Sequence, residues 1–190
     1  MRAGEGGHHG GLAELRVAHT ADLTTQALQA VRALLDGAFP AEEAYTEDDH
    51  EHALGGVHAL LWEDAELIGH GSVVMRRLLH EGKALRTGYV EAVAVRADRR
   101  RRGHGDVVME ALEGVIRRAY VLGALSASGT AGAFYAARDW QVWTGTVSVV
   151  TPDGVQRAED EEGGIFVLPG SSALAADGDL ACDWRDGEPW

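Results

Sequence analysis

The segment VEAVAVRADRRRRGHGDVVMEALEGV constrains this chain most: an apolar strand runs into an arginine- and glycine-rich loop, and the loop opens directly into a helix. Val93 and Val95 alternate along the strand. Beyond Asp98 the period changes, with Val107, Val108, Ala111, Leu112, Val115, Ile116, Ala119 and Tyr120 forming one broad stripe down about four helical turns. A helix N-terminus presents unpaired backbone N–H groups at the positive end of the helix dipole, so such a loop suits a pyrophosphate. Gly103 and Gly105 let backbone approach an anion closely, and Arg100, Arg101 and Arg102 add guanidinium charge. No Gly-Lys-Ser/Thr follows, and the third glycine of a dinucleotide fingerprint is missing. Taken alone, the loop also fits a solvated basic turn that caps a core helix.

The flanking sequence supplies the rest of an α/β architecture. LAELRVAHT reads as a first strand, with Leu15 and Val17 on one face. Asp22–Ala38 carries Leu28, Val31, Leu34 and Leu35 at helical spacing, with Asp22 as its cap, and Thr46 with Asp49 starts a short second helix. Residues 57–98 read as a three-stranded antiparallel meander with turns near Asp64 and near Glu81-Gly82-Lys83. After the long helix come a strand in GALSAS, a short helix in GTAGAFYAAR, a strand over WQVWTGTVSVV, a charged turn region in TPDGVQRAEDEEGG and a last strand in IFVLP. The chain from Gly170 reads as irregular until CDWRDGEPW. A strand, a crossover helix and a further strand imply a parallel pair inside a mixed, mainly antiparallel sheet. Residues 1–11, rich in glycine and histidine, read as a flexible tail, leaving residues 12–190 as one domain.

Charge narrows the partners. The 17 basic residues face 30 acidic ones, a net charge of -13, which disfavours nucleic acid and an anionic membrane surface and favours a cationic partner. Six of the acids lie between Glu42 and Glu51 with no Lys or Arg among them. No apolar run reaches the ~18 residues of a membrane span and no signal peptide is visible, so a soluble cytoplasmic protein is expected. The single cysteine, Cys182, excludes an internal disulfide and a cysteine-built zinc site, and no histidine triad suggests a metal.

Arg100-Arg101-Arg102-Gly103-His104-Gly105, placed between such a strand and helix and followed by Tyr135, resembles the R-x-x-G-x-G signature of the GCN5-related N-acetyltransferase (GNAT) superfamily. GYVEAVAVRAD, RRAYVLGALSASGTAGAFYAARDW, IFVLP and CDWRDGEPW are more closely similar to the aminoglycoside 2'-N-acetyltransferases, from about Leu12 to Trp190.

The resemblance implies a GNAT fold in which the loop, His104 included, binds the pyrophosphate of acetyl-CoA and the strand through Val93 and Val95 pairs with its pantetheine arm. It implies a general base at Glu91 acting through water, an oxyanion donor at the Val93 N–H, and a general acid at Tyr135 for the departing thiolate. For Tyr135, spacing alone also allows an aromatic residue packed between helix and sheet. On the acceptor side the resemblance points to Glu43, Asp49, Glu161, Glu188 and the Trp190 carboxylate, with Ser126 and Ser128 as hydroxyls. Ala92 and Asp139 stand where the family has glycine; at Ala92, backbone close to the acceptor would meet a methyl group. A homodimer is implied by the same likeness. The expected reaction is direct transfer of acetyl to a 2'-amine without an acetyl-enzyme, and no metal enters. Two alternatives stay open: the same fold acting on a polyamine, cell-wall amino sugar or thiol precursor, and an acidic protein that only sequesters cationic drugs.

Overall fold

The computed structural model describes residues 12–39, 44–127, 131–170, 174 and 176–190; the expected tail, 1–11, lies outside them. Along the chain run β1 (Glu14–His19), α1 (Thr25–Asp36), α2 (Glu47–His52), β2 (Val57–Glu63), β3 (Glu66–His80), β4 (Lys83–Val95), α3 (His104–Ala119) and β5 (Leu122–Ser126). They are followed by α4 (Gly132–Ala136), β6 (Gln141–Val142), β7 (Val147–Thr151), β8 (Gly154–Arg157), β9 (Ile165–Pro169) and β10 (Leu180–Asp183).

The meander forms as its turn chemistry predicts. Asp64 with Ala65, and Glu81 with Gly82, hold positive φ in two-residue loops, the conformation that matches strand twist in tight hairpins. β3 is long enough to serve two neighbours. Its first half pairs with β2, which carries β1 at the edge, and its end pairs with β10. The full order is β6-β9-β5-β4-β3-β10-β7-β8, with β4 and β5 parallel across the α3 crossover. Period two divides the side chains between faces: Ala59, Leu61 and Ile68 pack with Val108, Met109, Leu112 and Ile116 of α3, whereas Leu60 and Leu67 pack with Val31, Leu34 and Leu35 of α1.

Several expectations need correction. Helix α1 starts at Thr25, capped by Thr24 whose hydroxyl accepts from the Ala27 N–H at 3.2 Å; Asp22 sits in a 3-10 turn instead. The core-facing stripe of α3 is Val108, Met109, Leu112, Glu113 and Ile116, while Val107 and Ala119 are exposed. Periodicity gave Val108, Leu112 and Ile116 of this stripe and missed Met109 and Glu113, the latter because it is buried although charged. Glu113 accepts from Arg138 Nε at 2.8 Å, Trp140 Nε1 at 3.1 Å and Arg117 at 3.2 Å, so its burial is satisfied. WQVWTGTVSVV is two strands, not one: β6 pairs with β9, whereas β7 pairs with β10 and β8. The break falls at Gly145, where a Cβ would lie 1.8 Å from the Gly178 carbonyl oxygen, so the chain turns over Gly178 too closely for any side chain. The charged stretch holds a strand, β8, and the segment after Gly170 holds β10; both form through pairing with β7, a partner distant from local patterning for β10.

Candidate active site

β4 and β5 pair only over Thr87–Tyr89 opposite Leu122–Ala124. Beyond Tyr89, β4 stays with β3 while Leu125 and Ser126 stay with β9, so the sheet opens as a wedge. Inside the opening, β4 bulges: Ser72 faces Glu91 and His70 faces Ala94, leaving Ala92 and Val93 together opposite Gly71. Ala92 takes φ 52°, left-handed for a non-glycine residue, which explains why a glycine suits this position. Asp139 holds φ 66° at the other departure from the family, a conformation that aspartate tolerates. Ala92→Gly is expected to leave the fold intact and raise stability by about 0.5–1 kcal/mol, the strain removed exceeding the added chain entropy. Urea denaturation measures it, and a destabilised variant would count against strain at the bulge.

The wedge is the floor of a cleft of about 410 Å³ lined by Phe39, Tyr45, Asp49, Glu91, Ala92, Val93, Ser126, Tyr135, Glu188 and Trp190 among others. Four elements (α2, β4, β5 and α4), the chain between α1 and α2, and the C-terminal segment thus deliver residues from Phe39 to Trp190 into one place. Glu91 is largely buried and its Oε1 accepts from Arg185 Nη1 at 2.5 Å. Burial pushes the Glu91 carboxyl above its ordinary value, Asp49 adds to that, and Arg185 and Arg76 oppose it. Tyr135 sits against Phe134, Trp140 and Phe166, and burial raises its hydroxyl to about 12, so the phenol keeps its proton at neutral pH. Its packing and its place on the cleft wall hold together.

Of the acids expected at the acceptor side, Asp49 and Glu188 line the cleft, and Glu161 accepts from Ser126 Oγ at 3.3 Å. Burial raises the Glu161 carboxyl, and neighbouring Glu188 and Asp160 raise it further against the Ser126 hydrogen bond. The Asp49 carboxylate also closes the capping box of α2, accepting from the Thr46 N–H at 2.8 Å. Glu43 and Ser128 lie outside the described residues. Trp190 is docked, 5% exposed, in the core formed with Tyr89, Trp143 and Cys182.

The loop before α3 is divided in its use. Gly103 caps α3 with φ 82°, His104 and Gly105 open the helix, and the backbone at Arg101 is also left-handed at φ 59°. Arg101 and Arg102 are exposed. Arg100 is held by two backbone carbonyls: its Nε donates to the Val95 carbonyl at 3.0 Å and its Nη2 to the Ala38 carbonyl at 2.9 Å, tying the loop to the chain just beyond α1. Val95 is the last residue of β4.

Sequence reasoning missed Arg185, Arg76, Tyr45 and Phe39. Arg185 stands in a motif quoted for the family, and its signal was a base amid acids; its partner, Glu91, is 94 positions away. Among the described residues no group of three His, Cys, Asp or Glu is arranged to hold a metal ion, and no helix is long and apolar enough to cross a membrane.

A sheet that splits beside an anion-suited loop, with a carboxylate, a strand bulge and a tyrosine in the split, is the layout of an acyl-CoA-dependent acetyltransferase. The family model for the acetyltransferase (GNAT) domain matches residues 19–143, and the chain belongs to that family. It is 46% identical over 179 residues, 92% of this chain and 91% of the relative, to the aminoglycoside 2'-N-acetyltransferase of Mycolicibacterium fortuitum. Solved structures give the same fold: YhbS of Escherichia coli in complex with CoA (TM-score 0.60, 16% identity, 90% of this chain and 89% of that one). A GNAT family acetyltransferase from Brucella melitensis in complex with acetyl-CoA gives TM-score 0.58 at 15% identity, over 91% of this chain and 97% of the other.

Proposed function

We propose that this enzyme transfers acetyl from acetyl-CoA to the 2'-amine of aminoglycosides in a ternary complex. The observation that carries the reading is the acid-lined cleft built on the split between β4 and β5, with Glu91 and the bulge on one wall and Tyr135 on the other. An alkylammonium, with a reference pKa near ~10, must lose a proton before it attacks, and Glu91, directly or through water, takes it. The amine nitrogen then bonds to the thioester carbonyl carbon, and the carbonyl electron pair moves to oxygen, where the Val93 N–H stabilises it. Collapse breaks the C–S bond, the departing thiolate takes the proton of the Tyr135 hydroxyl, and the second proton of the acylated nitrogen passes through water to the tyrosinate, leaving a neutral amide and Tyr135 restored. Acetyl-CoA lies along β4 at Val93 and Val95 with its pyrophosphate at residues 101–105. Arg100, already bonded to two carbonyls, shapes that loop.

Asp49, Glu161, Glu188 and Trp190 surround the acceptor, and Glu43 and Ser128 complete that reading beside Ser126. Cys182 carries no acyl group: burial raises its thiol to about 11, and Sγ donates to the Pro189 carbonyl at 3.4 Å. A cytoplasmic homodimer belongs to the same proposal.

The test is acetyl-CoA-dependent thiol release with tobramycin, which bears a 2'-amine, beside kanamycin A, which bears a hydroxyl there. Release with tobramycin alone is expected. Equal release with both would overturn the regiochemistry, and release with neither, while acetyl-CoA binds, would move the acceptor to another class of amine.

A further inference from the structure

Two histidines that the reaction does not use lie wholly buried behind the bulge. His58 on β2 and His70 on β3 are both 0% exposed, and neither lines the cleft. His70 Nδ1 is 2.9 Å from the Ala92 carbonyl oxygen, His70 Nε2 is 2.9 Å from His58 Nδ1, and His58 Nε2 is 2.8 Å from Thr20 Oγ1. The carbonyl can only accept, so it dictates where both ring protons lie. His70 carries its proton on Nδ1 and accepts at Nε2; His58 therefore donates from Nδ1 and accepts at Nε2 from the Thr20 hydroxyl, which also lies 3.2 Å from the Gly56 carbonyl oxygen. Thr20 Oγ1 in turn accepts from the Gly55 N–H at 2.9 Å and the Gly56 N–H at 3.2 Å. Each donor in the row has an acceptor when both rings are neutral. Burial keeps them so, lowering His58 to about 4 and His70 to about 3.

The Ala92 carbonyl and the Val93 N–H belong to one trans peptide and point in opposite directions. We propose that His70, held by His58 and Thr20, is a positioning residue that orients the Ala92–Val93 peptide so that the Val93 N–H faces the cleft. The need for it is local. Ala92 and Val93 have no register partners across the bulge, and Ala92 holds a left-handed conformation that alanine does not favour, so regular strand register does not fix this peptide. A donor at the carbonyl also polarises the N–H at the other end, strengthening it as an oxyanion partner. This inference rests on the proposed role of Val93.

Imidazole 15N spectroscopy of the intact protein reads the proton positions. Both buried rings are expected as neutral Nδ1–H tautomers, and an Nε2–H tautomer at His70 would overturn the proposal. Kinetics test the consequence. His70→Leu removes the donor and should lower kcat by about 10²-fold, the scale of a misplaced reacting group, with KM for acetyl-CoA within about twofold. His70→Asn keeps an N–H where Nδ1 stood and should recover most of that loss, whatever both variants do to thermal stability. Full kcat in folded His70→Leu would overturn the proposal, and so would equal kcat losses in the two variants. Glu91→Gln run alongside separates the two readings: a loss there with none in His70→Leu refutes the histidine row alone, and no loss in either refutes the site assignment itself.

Discussion

Glu91→Gln is expected to lower kcat for tobramycin by about 10²–10³-fold, the scale of a lost general base, with acetyl-CoA binding unchanged. The variant keeps the side-chain size and still accepts from Arg185, so the cleft is preserved while the proton acceptor is gone. The pH profile makes the assignment specific. Burial raises the Glu91 carboxyl and Asp49 adds to it, while Arg185 and Arg76 oppose, so the group ionises above the ordinary carboxylate range. Only the ionised form takes a proton; kcat/KM should therefore climb with pH through that raised value, and the acid limb should vanish in the variant. Stability runs the other way. In the window above the unfolded carboxylate value the folded state holds more protons than the unfolded one, so ionising Glu91 lowers stability as pH rises through it. Unchanged turnover, or an acid limb that persists in the glutamine variant, would remove Glu91 from the role of base.

Arg76→Met should have the largest effect on stability and a separate effect on the acceptor. Arg76 lies on β3 with 5% of its side chain exposed, and it binds the C-terminal segment at three points. Its Nε donates to Asp183 Oδ1 at 2.8 Å, Nη2 to the Asp183 carbonyl at 2.8 Å, and Nη1 to the Pro189 carbonyl at 2.7 Å. Its guanidinium also lies 4.8 Å from the centre of the Tyr89 ring, and Arg185 lies 5.6 Å from the same centre. Methionine retains the apolar stem and leaves the acceptors without their partner, a loss of about 3 kcal/mol on the scale of broken buried ion pairs. For a domain of this size that lowers Tm by about 6–12 °C. With the clamp gone, residues 184–190 should detach, exposing the Arg185–Asp186 bond to trypsin. KM for tobramycin should rise about tenfold as Glu188 and Trp190 leave the cleft, an energy of ~1.4 kcal/mol, while KM for acetyl-CoA holds. A Tm within about 2 °C of the parent, with Arg185 still resistant to trypsin, would show that the segment is held by other contacts.

Much of the frame was legible because its signals are local. Two-residue turns at Asp64 and Glu81, the alternating run of β4 and the 3.6-residue period after Gly103 each depend on neighbours in sequence. The stretches that escaped were those whose form depends on a distant partner. Val155 and its neighbours become β8 because β7 lies beside them, and Leu180 begins β10 because β3 and β7 leave a place between them. Glu113 broke the expected stripe because its partners, Arg138 and Trp140, come from the far side of α4.

For the site, sequence by itself determined the strand, loop and helix that define the family and named Asp49, Glu91, Tyr135 and Glu188, which line the cleft, since residue types in a fixed order carry that information. Tertiary structure alone decided which charges meet. It joined Arg185 to Glu91, turned Arg100 toward the Val95 and Ala38 carbonyls, clamped the C-terminal segment with Arg76, and set His70 against the Ala92 carbonyl. The physical reason is that a hydrogen bond or ion pair acts over a few ångströms of space, and spacing along a chain fixes that distance only within one turn or hairpin.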